Sequence, residues 1–303
     1  MKNKYLGMFL ACLIILSSVS SSYAENDTDN MILYVSMDGN DQNDGLTPET
    51  SKKTIQNAIN TVKKGGTIHI KPGTYKETLT INKSIRLTGE GPDKTIINAD
   101  YKNTCININP WKYVVIEGIT ITRGYGRLRG GGIYNDRSTA IIKNCIISNN
   151  KVWWEYTLTN PTGGGIYNYY GDMVIENSTI QNNEISDEGA GISSICSHLV
   201  IKNSKIQNNF ALDHGSGGGV YVWYGSISLE NTIVRNNFAR YGGGICLEKT
   251  HATLKNCIIQ NNTAQLLCGG IYTTYHCRMD IDDATIKQCV NNSAPDHPNS
   301  YYN

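Results

Sequence analysis

The sequence predicts an all-β fold: a parallel β-solenoid closed at its N-terminal end by a short capping helix. Three observations predict it. First, a glycine run followed by Ile or Val recurs every 25 to 33 residues, at Gly130–Ile133, Gly163–Ile166, Gly189–Ile192, Gly217–Val220, Gly242–Ile245 and Gly269–Ile271. Second, an asparagine recurs in the same phase (Asn144, Asn177, Asn203, Asn231, Asn256), with a large aliphatic two positions before it and another three after it. Third, the residue just before that asparagine alternates in sign: Glu117, Lys143, Glu176, Lys202, Glu230, Lys255, Asp282.

A unit this short cannot bury its own apolar face, so it must stack on its neighbours. Short β-branched segments bounded by Asn and Gly read as strands separated by turns, because Asn and Gly tolerate the left-handed backbone that sharp turns need. Stacked coils place like residues about 4.8 Å apart. The aliphatics then form ladders at Ile116, Ile142, Ile175, Ile201, Leu229, Leu254, Ile281 and at Ile121, Ile147, Ile180, Ile206, Val234, Ile259, Ile286. The recurring asparagines are expected to stack as buried amides that hydrogen-bond along the pile, with Asn203 in its middle. The alternating charges are expected to lie on a solvated face and set register, since opposite charges on adjacent strands attract. The glycine runs are turns. A phosphate-cradling loop needs a helix after it, and no helical pattern follows any copy.

The elements follow in order. Residues 1–24 read as a secretory signal: Lys2 and Lys4, then an apolar run from Leu6 to Leu16, then small residues ending at Ala24. No second apolar segment follows, so no membrane span is expected after cleavage. Residues 25–66 hold a first strand, an Asp/Asn/Gly turn and a helix carrying Ile55, Ala58, Ile59 and Val62 on one face, with Ser51 as N-cap and Gly65 as stop. One apolar face on a short helix suits a lid over the open end of a solenoid. The acids of the turn (Asp38, Asp41, Asp44) lack the terminal Glu of a helix–loop–helix calcium site and read as turn-forming Asx groups. Residues 67–292 carry the repeats and 293–303 a polar tail. Eight cysteines follow Cys12, five of them between Cys246 and Cys289. Their spacing is not that of a zinc site. Stapling of the C-terminal end and free buried thiols are both open readings.

The segment "DGNDQNDGLTPETSKKTIQNAIN…GGTIHIKPGTY" resembles the opening of secreted right-handed parallel β-helix proteins of the pectin-lyase-like group. Repeats such as "IVRNNFARYGGGI" and "IIQNNTAQLLCGGI" resemble those of adhesin-like and polymorphic outer-membrane β-helix proteins. The resemblance implies a single right-handed parallel β-helix over nearly all of the mature chain. It does not choose an activity, because the group holds polysaccharide lyases, hydrolases, epimerases and non-catalytic surface proteins.

Net charge is +1 without a basic stripe, so a nucleic-acid partner is not expected. The chain has 19 Tyr and 4 Trp against 3 Phe, a bias toward rings with a polar edge that suits wet surfaces and sugar stacking. Function is expected in the loops between each Asn pair and the next glycine run. Two readings follow. In the first, a secreted or cell-surface protein binds polysaccharide or surface glycan without catalysis, through Trp153, Trp154, Tyr156, Asp187, His214 and Tyr241. In the second, the protein is a calcium-assisted polysaccharide lyase. Glu155, Asp187, Glu188 and Asp213 then supply oxygen ligands, and Arg127, Arg129 or Arg240 serves as the base or pairs the uronate carboxylate.

Overall fold

The computed structural model describes residues 31–153, 162–212, 215–274 and 276–301. The expected leader, 1–24, lies outside them. The strands form three parallel sheets of 17, nine and six strands. One coil shows the plan. Strand Ile166–Tyr169 and strand Asp172–Glu176 both belong to the largest sheet, Thr179–Gln181 to the nine-stranded one and Glu184–Ile185 to the smallest. Each pairs in register with its equivalent in the next coil, as in Ile166↔Ile192, Glu176↔Lys202, Ile180↔Ile206 and Ile185↔Ala211.

The core is the set of ladders the repeat dictates. Ile116, Ile142, Ile175, Ile201, Leu229 and Leu254 are all buried, and so are Ile121, Ile147, Ile180, Ile206, Val234 and Ile259. The small slot after the recurring asparagine is also a ladder: Cys145 N donates to Ser178 Oγ and Ser178 N to Ser204 Oγ, each at 3.1 Å. The alternating charges meet as read. Lys143 pairs in register with Glu117 and Glu176, and Lys202 with Glu176 and Glu230. Lys143 Nζ lies 3.3 Å from Glu176 and Lys202 Nζ 3.5 Å from Glu230.

The asparagine reading requires correction. Asn144, Asn177, Asn203, Asn231 and Asn256 are exposed, and each adopts a left-handed φ of 48° to 50°. They are there because the corner needs that backbone; amide bonds do run along this stack, from Asn231 Nδ2 to Asn203 Oδ1 at 3.2 Å and from Asn256 Nδ2 to Asn231 Oδ1 at 2.7 Å, but in solvent and not buried. The buried ladder lies one corner on, at the second member of each Asn pair: Asn150, Asn183, Asn209, Asn237 and Asn262, none more than 1% exposed. There each Nδ2 donates to the next Oδ1 at 3.0 Å, coil after coil. The first member of each pair (Asn149, Asn182, Asn208, Asn236, Asn261) again supplies the left-handed turn.

In the glycine runs the first glycine has positive φ (Gly130, Gly163, Gly189, Gly217, Gly242), and Cys268 takes that place in the last run with φ 58°. The following glycines admit the neighbouring coil: a Cβ on Gly164 would sit 2.6 Å from Ala190 O.

At the N-terminal end, helix α1 (Ile55–Thr61) lies with Ile55, Ala58, Ile59 and Val62 buried, as expected of a cap. Its N-cap is Thr54, not Ser51: Thr54 Oγ1 accepts from Asn57 N at 3.3 Å. Glu77 adds two bonds from outside the helix, accepting from Ile55 N and Gln56 N at 2.9 Å each. Asp41 accepts from Lys53 N, Thr54 N and Thr54 Oγ1, and Asp44 from Leu46 N and Thr50 Oγ1, so these acids tie the turn together.

The last coil departs from the repeat. Ile286 is 55% exposed, because Asp283–Lys287 forms a short helix, α2, rather than the expected strand. Asp282 caps it by accepting from Thr285 N, and Thr285 Oγ1 accepts from Cys257 N. Beyond it, Ser300–Tyr301 pairs with Ile271–Tyr272 and adds a final rung. All eight cysteines of the described residues are free thiols.

Candidate functional site

Strand alternation builds the site. After each glycine run the aliphatic points inward, so the next residue points outward. That outward position reads Tyr134↔Tyr167↔Ser193↔Tyr221↔Cys246↔Tyr272 from coil to coil. Two residues further on, the same face reads Asp136↔Tyr169↔Ile195↔Trp223↔Glu248. The rings stack: Tyr134 on Tyr167 at 5.5 Å between centroids, and Tyr167 on Tyr169 at 5.7 Å.

The residue just before each glycine run borders this face. Arg129 bridges to Thr162, and Thr162 to Glu188, so a base and an acid stand two rungs apart, about 9.6 Å along the axis. Between them opens a cleft of about 310 Å³ lined by Arg129, Thr162, Tyr167, Tyr169, Glu188, Ile195, Tyr221 and Trp223. Beneath it the ring ladder is interrupted: Ser193 stands where its neighbours on both sides carry tyrosine. Ser193 Oγ is fully buried and has no hydrogen-bond partner. Tyr167 and Tyr221, each 3% exposed, form the floor; Tyr169 and Trp223 form the rim.

Electrostatics divide the cleft. The Arg129 guanidinium carbon lies 5.5 Å from the Tyr169 ring centre and 6.0 Å from that of Tyr167, and Nη1 donates to Tyr134 Oη at 3.4 Å. Across the cleft, burial pushes the Glu188 carboxyl up to about 7, and the nearby negative charges of Asp187 and Glu248 push the same way. Burial also raises Glu248, against the pull of a hydrogen bond from Tyr221. The Tyr221 hydroxyl bonds with both carboxyls. Burial and these two acids lift the Tyr221 phenol far above its ordinary value, so it stays a neutral donor. Such a carboxyl can take up or release a proton near neutral pH.

Of the expected site residues, the structure brings Arg129 and Glu188 together, with Asp187 beside Glu188. Arg127 is exposed and does not line the cleft. Arg240 lies 5.6 Å from the Tyr241 ring centre, and Tyr241 stacks on Tyr272 at 5.8 Å, two rungs beyond Glu188. Trp153 is 38% exposed at the mouth of its loop and does not line the cleft. Trp154, Glu155, Tyr156, Asp213 and His214 lie outside the described residues. Among the described residues no group of three or more His, Cys, Asp and Glu side chains is placed to hold a metal ion. The sequence singles out Tyr221 and Trp223 as part of an aromatic set after the glycines that can stack on sugars, without joining them to Arg129 and Glu188, and it gives no sign of Glu248. The signal of the two rings was the alternation after the glycines, "IYNYY" and "VYVWY", which puts two rings of each coil on one face.

The fold defines the class: the chain folds as a right-handed parallel β-helix. A family described as a right handed beta helix region matches residues 155–294. The uncharacterized protein YwoF of Bacillus subtilis (strain 168) is 29% identical over 128 residues, covering 37% of this chain and 26% of YwoF. A probable pectinesterase/pectinesterase inhibitor 23 of Arabidopsis thaliana is 36% identical over 90 residues, covering 27% of this chain and 15% of that protein. The matches thus span about a quarter or less of these relatives. Among solved structures, a complex of XylC with xylose superposes with a TM-score of 0.47 at 10% identity, covering 83% of this chain and 70% of that one. Among the described residues no helix is long and apolar enough to cross a membrane.

Proposed function

We propose that this protein is a secreted carbohydrate-recognising β-helix whose cleft binds an acidic glycan. The observation that carries this reading is Arg129, laid over the Tyr167 and Tyr169 rings at the edge of a ring-lined cleft. A guanidinium held in this way offers two parallel donors to a carboxylate, while Tyr169 and Trp223 offer faces to a pyranose ring. The likeness of a stretch of the chain to a probable pectinesterase supports the choice of polymer class. The test is titration calorimetry with oligogalacturonate and with neutral galacto-oligosaccharide. Wild type should prefer the acidic ligand, and Arg129→Gln should remove that preference while leaving the melting temperature unchanged. Equal affinity of wild type for both ligands would refute it.

A second reading is favoured by one observation, the Glu188 carboxyl poised at about 7. In a uronate lyase, Arg129 would pair the substrate carboxylate and Glu188 would take the proton from the carbon beside it. The expected calcium would be held from the loops that carry Asp187, Glu155 and Asp213. Ultraviolet absorbance of unsaturated sugar ends, with and without a chelator, tests this. Binding that survives the chelator, with no unsaturated product, leaves the non-catalytic reading standing.

A further inference from the structure

Each coil has three corners at which a non-glycine residue takes a left-handed backbone, and the three are filled differently. Two are filled by asparagine throughout the regular coils: Asn144 to Asn256 at one, Asn149 to Asn261 at the other. The third lies between the two strands of the largest sheet. It holds Trp111, Arg137, Tyr170, Cys196, Tyr224, Lys249 and His276, at φ of 46° to 68°. Large side chains are disfavoured in this conformation, and asparagine is the residue that adopts it with least strain. A chain that uses asparagine at two corners and other side chains, a ring on every second rung, at the third retains strain at the third, which points to function.

The rings are also out in solvent. Trp111 is 77% exposed, Tyr170 55% and Tyr224 47%. They occupy every second rung, with Arg137 and Cys196 between them, so successive rings stand about 9.6 Å apart along the axis. That is close to the repeat of two pyranose rings in an extended β-1,4-linked chain, in which every second sugar turns the same face to one side. Each tyrosine is braced at its base: Tyr169 meets Tyr170 edge-on at 4.7 Å, and Trp223 meets Tyr224 edge-on at 4.9 Å. Lys249 Nζ fixes Tyr224 further, donating to its hydroxyl at 2.9 Å. Braced rings lose little freedom when a sugar stacks on them.

We infer that this corner is a second carbohydrate site, in which Trp111, Tyr170 and Tyr224 stack alternate sugars of an extended β-1,4-linked glycan running parallel to the solenoid axis. This rests on the carbohydrate reading of the protein but not on the cleft. The rings of the cleft lie on the adjoining strand surface, and this row lies at the corner beside them.

The test replaces all three rings by the residue the backbone prefers: Trp111→Asn, Tyr170→Asn, Tyr224→Asn. Binding is read by calorimetry with cellohexaose, an extended two-fold chain, and with laminarihexaose, whose β-1,3 links curve it. Wild type should bind cellohexaose and not laminarihexaose, and the triple variant should lose affinity by about tenfold or more. Its melting temperature should be unchanged or raised, because asparagine relieves the corner. Affinity within twofold of wild type, equal binding of both hexaoses, or a large fall in melting temperature would each overturn the proposal. Arg129→Gln should leave cellohexaose binding intact. Loss of the acidic-ligand preference alone concerns the cleft, and failure of cellohexaose binding alone concerns this corner.

Discussion

Replacing Asn209 by leucine should cost the protein about 1–3 kcal/mol, a magnitude that follows from counting what the amide holds. Asn209 Nδ2 donates to Ile180 O at 3.1 Å and to Asn237 Oδ1 at 3.0 Å, and Oδ1 accepts from Asn183 N at 3.1 Å and Asn183 Nδ2 at 3.0 Å. Leucine has nearly the same volume, so the coil need not collapse. Three of the four partners keep another bond: Asn183 Nδ2 still reaches Ile147 O, Asn237 Oδ1 still receives Asn209 N, and Ile180 O keeps the ladder bond from the strand paired with it in register. Asn183 N loses its partner in a dry interior, at about 1–3 kcal/mol. The control is Asn203→Gly, at an exposed corner with φ 50°, where glycine is at ease and the change should stay within about 0.5 kcal/mol. Urea unfolding followed by far-ultraviolet circular dichroism measures both. An Asn209→Leu midpoint matching wild type, or an Asn203→Gly loss of equal size, would show that the burden of the amides has been assigned to the wrong corner.

Other outcomes follow from the same structure. Lys202→Glu places three acids in sequence along the exposed ladder at Glu176, 202 and Glu230; it should cost no more than about 1 kcal/mol, shrink in high salt, and be offset by Glu176→Lys with Glu230→Lys in the same chain. Glu188 titrates near 4.5 when unfolded and about 7 when folded, so the folded state holds a proton the unfolded state has lost between those values. Stability should therefore fall as pH rises from about 4.5 to 7, by about 3 kcal/mol in total, and Glu188→Gln should flatten the melting-temperature profile across that window. Burial pushes the thiols of Cys105 and Cys145 up to about 12, so at pH 8 they should resist iodoacetamide in the native protein and react fully in urea, as mass spectrometry would show. Protection that persists in urea and yields only to a reductant would mean they are bonded.

The sequence by itself determined the solenoid, because the repeat is a packing constraint written in one dimension. Ile142, Ile175 and Ile201 recur in phase since each must cover the next, and Lys143, Glu176 and Lys202 alternate since each must face its opposite. The capping helix was legible for the same reason, as a change from the strand pattern to one apolar helical face at Ile55, Ala58 and Ile59. What the sequence could not decide was which asparagine is buried. Asn203 and Asn209 both recur once per coil, but one answers a demand of the backbone dihedral and the other a demand for amide partners, and only the path of the coil separates them. The last coil escaped for a different reason: Ile286 keeps the periodicity, yet Asp282 and Thr285 cap a helix there. The candidate site was half legible. Arg129 and Glu188 stand out as loop charges, but Tyr221 and Glu248 join Glu188 only because stacking brings residues 33 and 60 positions away to one and two rungs from it. The cleft itself is walled by residues of successive coils, from Arg129 to Trp223, which meet only once the register of those coils is known.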